Sequence, residues 1–191
     1  MLRTAVSESI NLPGSDGEST EEATYADRID DLEGTTLAYV DWGKPNGEEL
    51  YDCFERRFTE EFGVEELLYF RKPTPSSPVP GDLMEEIMAA DPDGVILAIA
   101  DCGSCNSSVV VDAKSFEEQG VPSVQVITDK FLDLNSRISE SYGYGKLPLI
   151  TVDHPTRYLD AEEVDALAER IQWSVHTQLT CEECLLAGDD G

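Results

Sequence analysis

The chain's densest piece of chemistry is Cys102-Gly103-Ser104-Cys105. Two thiols three positions apart can close on each other as a disulfide. One can also attack a foreign sulfur while the other resolves the mixed product. Before the motif stands an unbroken apolar run, Val95-Ile96-Leu97-Ala98-Ile99-Ala100, which reads as a strand buried on both faces. After it, Val109, Val110, Ala113 and Phe116 form one apolar stripe of a helix that Gly120 would stop. The pair therefore falls between a strand end and a helix's first turn, where free N–H groups and the helix dipole stabilise a thiolate. Gly103 lets the backbone turn sharply, and Ser104 or Asn106 is expected to cap the helix. Cys102, at the strand exit, is the expected attacking thiolate and Cys105 the resolving one. The bland reading of the same residues is two small side chains tolerated in a tight turn.

The other chemistry-bearing residues are scattered. Cys181-Glu182-Glu183-Cys184 repeats the Cys-x-x-Cys spacing near the end of the chain. With Cys102 and Cys105 it makes four candidate zinc ligands, although the gap between the pairs is far longer than in a zinc ribbon. The second pair also suits a shuttle dithiol, a metal half-site or unused residues. Cys53 stands alone on a helical pattern, where a cysteine is most often a small core or surface residue. His154 follows an apolar stretch and precedes Pro155, a place from which an imidazole can act as acid or base near neutrality. Lys44 can lower a thiol's pKa or bind an anionic substrate. Asp101 can take a proton or cap a neighbouring turn. His176 is expected on the surface of the last helix.

Composition narrows the classes. The chain has 191 residues with 40 acidic against 13 basic, a net charge of −27. Acids recur along the putative helices, as in Glu48-Glu49, Glu60-Glu61, Glu85-Glu86, Glu117-Glu118 and Glu162-Glu163. A uniform coat repels itself at low salt and is screened at high salt, so it reads as adaptation to a salt-rich cytoplasm. A basic partner would call for a local patch instead. The same charge argues against nucleic-acid binding, because phosphates need Lys and Arg. No apolar run approaches the ~20 residues of a membrane span, and no signal peptide opens the chain, so a cytoplasmic protein is expected. Five cysteines in that compartment favour redox or metal chemistry over a structural disulfide framework.

Positioning these groups requires an alternating fold. Residues 1–33 read as a flexible acidic arm, with Ile29 and Leu32 available to pack. Strands are expected over 36–41, 64–70, 95–100, 121–128 and 148–152. Helices are expected over 48–62, 81–90, 129–141 and 159–179, with another running from the Cys motif to a stop at Gly120; the 129–141 helix carries Phe131, Leu134 and Ile138 on one face. A tail over 180–191 carries the second Cys pair. Strands alternating with helices give a three-layer α/β domain over 34–179, flavodoxin-like and doubly wound, with a five-stranded, mainly parallel sheet of order 2-1-3-4-5. In such a sheet ligands bind at the carboxyl ends of the strands, between strands 1 and 3. Those ends are Asp41 to Lys44 and Asp101 to Cys105. The 71–80 loop, with its four prolines, is stiff and extended and long enough to be functional.

Several of these pieces, in this order, resemble the UGSC family, named for selenocysteine (or Cys)-Gly-Ser-Cys after a central strand. They are Asp41 to Asn46, Arg71 to Pro75, Ala100 to Ser107, Glu118 to Val124, Phe131 and His154-Pro155, spanning about residues 35–178. The early arm and the second Cys pair have no clear counterpart. The resemblance implies a redox-type site with position 102 as the reactive chalcogen and Cys105 as its partner, related to glycine- and betaine-reductase-type selenoproteins. Here Cys102 stands where the namesake has selenocysteine, and a thiolate is the weaker nucleophile. His154 joins Cys102 and Cys105 as a candidate catalytic residue, and Asp41, Lys44, Asn46, Lys72, Thr74, Ser104 and Ser107 are the candidate substrate-binding residues. The expected function is a thiol-dependent oxidoreductase acting on a small molecule, with a thiol or electron-donor partner. The rivals are a zinc- or thiol-binding module and a Cys-based racemase or lyase. The last needs two cysteines on opposite sides of its substrate, not in one turn. No nucleotide fingerprint is present, no cofactor or metal is identified, and a homo-oligomer is left open.

Overall fold

The computed structural model describes residues 23–183. Five strands form one sheet: β1 (Thr36–Asp41), β2 (Glu66–Arg71), β3 (Gly94–Ala100), β4 (Ser123–Thr128) and β5 (Leu149–Val152). The order is β2-β1-β3-β4-β5 and every pairing is parallel, as the alternation of strands and helices requires. Five helices connect and cover it: α1 (Gly47–Phe62), α2 (Gly81–Ala89), α3 (Gly103–Glu118), α4 (Leu132–Ser141) and α5 (Ala161–Thr180). The pleat of β3 shows why its run is apolar throughout. Ile96 and Ala98 enter a core with Phe54 and Phe58 of α1 and Val164 and Ile171 of α5, while Val95 and Leu97 enter another with Val109, Val110 and Phe116 of α3. All strands leave on one rim, so the loops after β1, β2, β3 and β5 share that edge. The register of β3 against β4 shifts between Ala98 and Ala100, re-aiming the strand just before Asp101.

Local chemistry sets the helix ends. Asp160 caps α5 by accepting from the backbone N–H groups of Glu162 and Glu163, and Glu163 answers with a bond from the Asp160 N–H. Gly63 ends α1 in the left-handed conformation that favours glycine.

Four expectations need correcting. The stretch 129–141 begins as a 3-10 turn and becomes α4 only at Leu132, and the expected apolar face is mixed: Ile138 is partly buried against the core and Leu134 is exposed, while the fully buried positions are the polar Asn135 and Ser139. Asn135 turns inward because its amide donates to Gln125 of β4 at 2.8 Å. Glu117 does not belong to the acidic coat. It is buried, paired with Arg28, and accepts from the backbone of Ala26 and Ser123. Residues 23–33 accordingly lie on the domain, with Leu32 fully buried and Ile29 against the core. His176 is half-buried, its ring against Phe62 and Trp173.

Among the described residues, no helix is long and apolar enough to cross a membrane. Residues 1–22 of the expected arm, and Cys184, lie outside the described residues.

Candidate redox-active site

Cys102 and Cys105 are joined as a disulfide at the start of α3, their Cα atoms 5.2 Å apart. The expected cap was Ser104 or Asn106, but Cys102 is itself the N-cap: its Sγ accepts from the Cys105 N–H at 3.3 Å. Asn106 bonds backward instead, donating to the carbonyls of Ala100 and Cys102 and tying the strand exit to the first helical turn. Ser104 is exposed, with its hydroxyl 3.5 Å from Cys102 Sγ. Ser107 is exposed too and donates to Gly103 O, within the turn. The two sulfurs differ in access. Cys105 is fully buried and Cys102 partly exposed, so only Cys102 offers a sulfur to an outside molecule.

The loop after β1 brings the charge. Lys44 Nζ lies 3.6 Å from Cys102 Sγ and 3.0 Å from Asp101 Oδ1, with Asp101 buried. An ammonium there favours a thiolate at Cys102 over the thiol, on top of the helix-terminus effect. That loop is fixed by Asp41, whose carboxylate accepts from the Gly43 N–H at 2.8 Å and from the Tyr69 hydroxyl at 2.7 Å. Burial, then the Asp41 hydrogen bond, push the Tyr69 hydroxyl up to about 12, so it stays a donor. Asn46 adopts a left-handed conformation (φ 70°) and donates to Thr156 O and Leu159 O, linking this loop to the one after β5. Asp41 and Asn46 thus shape the rim, the Asp41 carboxylate and the Asn46 amide N–H groups being engaged within the protein.

Lys72 is placed differently from a ligand-facing lysine. Its side chain is fully buried, 2.7 Å from Asp112 of α3 and stacked 3.9 Å from the Trp42 ring centroid. Asp112 also accepts from the Val79 N–H at 2.7 Å. Ser108 completes the clamp, accepting from the Trp42 indole N–H, with Pro75 O at 3.1 Å and Cys105 O at 3.0 Å as the two carbonyls within reach of its one hydroxyl proton. The 72–80 loop is therefore bolted to the helix that carries Cys105. Asp112 and Ser108 were missed from sequence, although an acid at 112 amid the apolar stripe of Val109, Val110, Ala113 and Phe116 was a usable signal. Thr74 lies on the outer part of this loop, its hydroxyl 3.3 Å from that of Ser76.

His154 follows β5 on the same rim. Its Nδ1 lies 3.1 Å from Thr128 Oγ1, its N–H donates to Asp129, and its ring meets Phe131 edge-on. It also lines a cleft of about 310 Å³ between its own loop and α5, with Leu159, Leu167 and Arg170. These contacts hold it to the β4 and β5 ends, and none reaches Cys102.

Among the described residues, Cys181 does not join Cys102 and Cys105 in a zinc site. Leu179 packs over Gly94, at the start of β3, and its carbonyl accepts from Ile29 N–H. Cys181 thus follows α5 at the amino rim, about 20 Å of strand away from Cys102 at ~3.3 Å per residue. Among the described residues, the sulfurs of Cys102 and Cys105 gather one carboxylate, Asp101, all three ligand atoms lying within 4.8 Å. Disulfide sulfurs are poor metal ligands, and the Lys44 ammonium occupies the approach.

The sequence model of the UGSC family matches residues 9–181, most of the chain. The chain belongs to the UGSC family. The match starts at residue 9 and ends at Cys181, so most of the early arm, for which no family counterpart was expected, lies inside the UGSC region. A comparison with curated proteins finds no match. Within this UGSC chain, the Cys-Gly-Ser-Cys segment is the turn just described, between β3 and α3.

Proposed function

We propose that this UGSC protein is a thiol-dependent oxidoreductase in which Cys102 is the nucleophile and Cys105 the resolving thiol. The observation that carries the reading is the asymmetric pair: a partly exposed sulfur at a helix N-cap beside an ammonium, bonded to a fully buried one. In the reduced protein the Cys102 thiolate attacks the sulfur of a small disulfide-type substrate. Cys105 then attacks Cys102, and the chain is left as the disulfide. An external thiol or electron-donor partner restores the dithiol. Lys44 supports the Cys102 thiolate, and Ser104, beside the sulfur, is the first candidate to contact substrate. His154 is assigned to the neighbouring cleft and not to the reacting group. The acidic coat fits operation in a salt-rich cytoplasm.

Trapping tests the reading. Cys105→Ser, exposed to a small aryl disulfide, should accumulate a mixed disulfide on Cys102 identified by mass mapping, and Cys102→Ser should not. Equal labelling of both variants, or labelling confined to other cysteines, would refute the assignment.

A further inference from the structure

The geometry points to Asp101 as the proton acceptor for Cys105 in the resolving step; this rests on the dithiol reading above. Cys102 needs no proton acceptor in the protein, because it is open to solvent and its thiolate has two stabilising neighbours, the Cys105 N–H and Lys44. Cys105 is the opposite case. It is fully buried, makes its attack from inside the fold, and must shed a proton without contact with water. Asp101 is the carboxylate within 4.8 Å of both sulfurs, itself buried, and its Oδ1 faces the Lys44 ammonium at 3.0 Å. In the disulfide Cys105 has no proton to give, and Asp101 keeps its place beside both sulfurs, held by Lys44.

The step balances. With Cys102 carrying a mixed disulfide to a substrate thiol, Asp101 takes the Cys105 proton and the resulting thiolate attacks Cys102 Sγ. The Cys102–Cys105 bond forms, the bond to the substrate sulfur breaks, and that sulfur leaves with the electron pair. It recovers the proton from Asp101 directly or through solvent. The two protein thiols are oxidised and the substrate disulfide is reduced to two thiols. The groups facing Asp101 are Lys44, from the loop after β1, and the two sulfurs, from the start of α3. At the end of β4, Thr128 is engaged with His154. Lys44 pairs with Asp101 and holds its carboxylate beside the sulfurs, while also supporting Cys102.

Closure can be timed in the full-length chain with Cys53, Cys181 and Cys184 changed to Ser. An aryl disulfide releases one coloured thiolate when it captures Cys102 and a second when Cys105 closes the ring. With an internal base, the second release should be nearly flat between about pH 6 and 8. In Asp101→Asn it should be slower on the order of 10²-fold at neutral pH and should climb about tenfold per pH unit, following solvent-generated thiolate. The first release should hold or quicken, since Lys44 is then no longer shared with a carboxylate. Asp101→Glu should recover part of the second rate only. Should Asp101→Asn fail to fold, the parent profile decides alone: a tenfold rise per pH unit there overturns the proposal. Equal second-release rates and profiles in parent and Asp101→Asn overturn Asp101 while leaving the dithiol reading standing. A parent protein that gives the first release and never the second overturns both.

Discussion

Breaking the Lys72–Asp112 pair should be far worse than removing it. Lys72 Nζ sits 2.7 Å from Asp112 with both side chains out of solvent, so neither charge has water to fall back on. Burial pushes Lys72 below its usual ammonium range, with Asp112 pulling it partly back, and pushes Asp112 above the carboxylate range, with Lys72 pulling it partly back. Desolvation therefore outweighs attraction on both sides. Lys72→Met strands a buried carboxylate whose remaining donor is the Val79 N–H, and Asp112→Leu strands a buried ammonium. Each should cost about 3–5 kcal/mol. The double variant leaves no stranded charge and loses chiefly the Val79 hydrogen bond, about 1 kcal/mol. At roughly 2–4 °C per kcal/mol for a chain of this size, each single variant should melt roughly 6–20 °C lower and the double only a few degrees lower. Urea titrations supply the free energies, and the cycle gives the coupling. The pH dependence carries a sign as well. Asp112, raised in the fold, contributes stability that is full below the unfolded value of 3.8 and is lost as pH rises through the higher folded value. Parent minus double-variant stability should therefore fall as pH rises out of the carboxylate range. Additive single losses, or single losses below about 1 kcal/mol, would refute the reasoning.

Further outcomes follow from single contacts. In the reduced protein Cys102 should alkylate faster than Cys53 at neutral pH, since burial and the neighbouring Asp165 push the Cys53 thiol up; equal rates by mass mapping would remove the case for an activated Cys102. Gly47→Ala should destabilise the chain by about 1–3 kcal/mol, because the new Cβ would stand 2.9 Å from Asp41 Cγ; an unchanged urea midpoint would show the rim to be looser than described. The acidic coat predicts a melting temperature that rises with added KCl, and a flat response would remove support for the salt-rich setting.

The sheet was readable because its signals were local and mutually consistent. Short apolar runs bounded by turns alternated with 3.6-period stripes, and parallel crossovers left few ways to order them. The same grammar misread part of α4: Ile138 does meet the core, but Leu134 is exposed, and the buried Asn135 is held by its bond to Gln125. It also placed Glu117 on the surface, because a glutamate beside another glutamate carries no trace of a distant arginine such as Arg28. At the site, Cys102, Cys105 and Lys44 were legible from the switch-point rule. The Lys72–Asp112 clamp was not, since it joins a loop to a helix across 40 positions and depends on packing around Trp42. His154 was placed on the correct rim, but its neighbours, Thr128 and Phe131, were set by the ends of β4 and the turn after it.

A redox titration of the thiols reaches the central claim most directly. The full chain is equilibrated in thiol–disulfide buffers of graded poise in molar KCl, quenched by acid, alkylated and mapped by mass. The account predicts that Cys102 and Cys105 pass together from dithiol to disulfide over one two-electron transition and return on added reductant. A pair that stays reduced in the most oxidising buffer, or that oxidises only by linking Cys102 to some other cysteine, would contradict it.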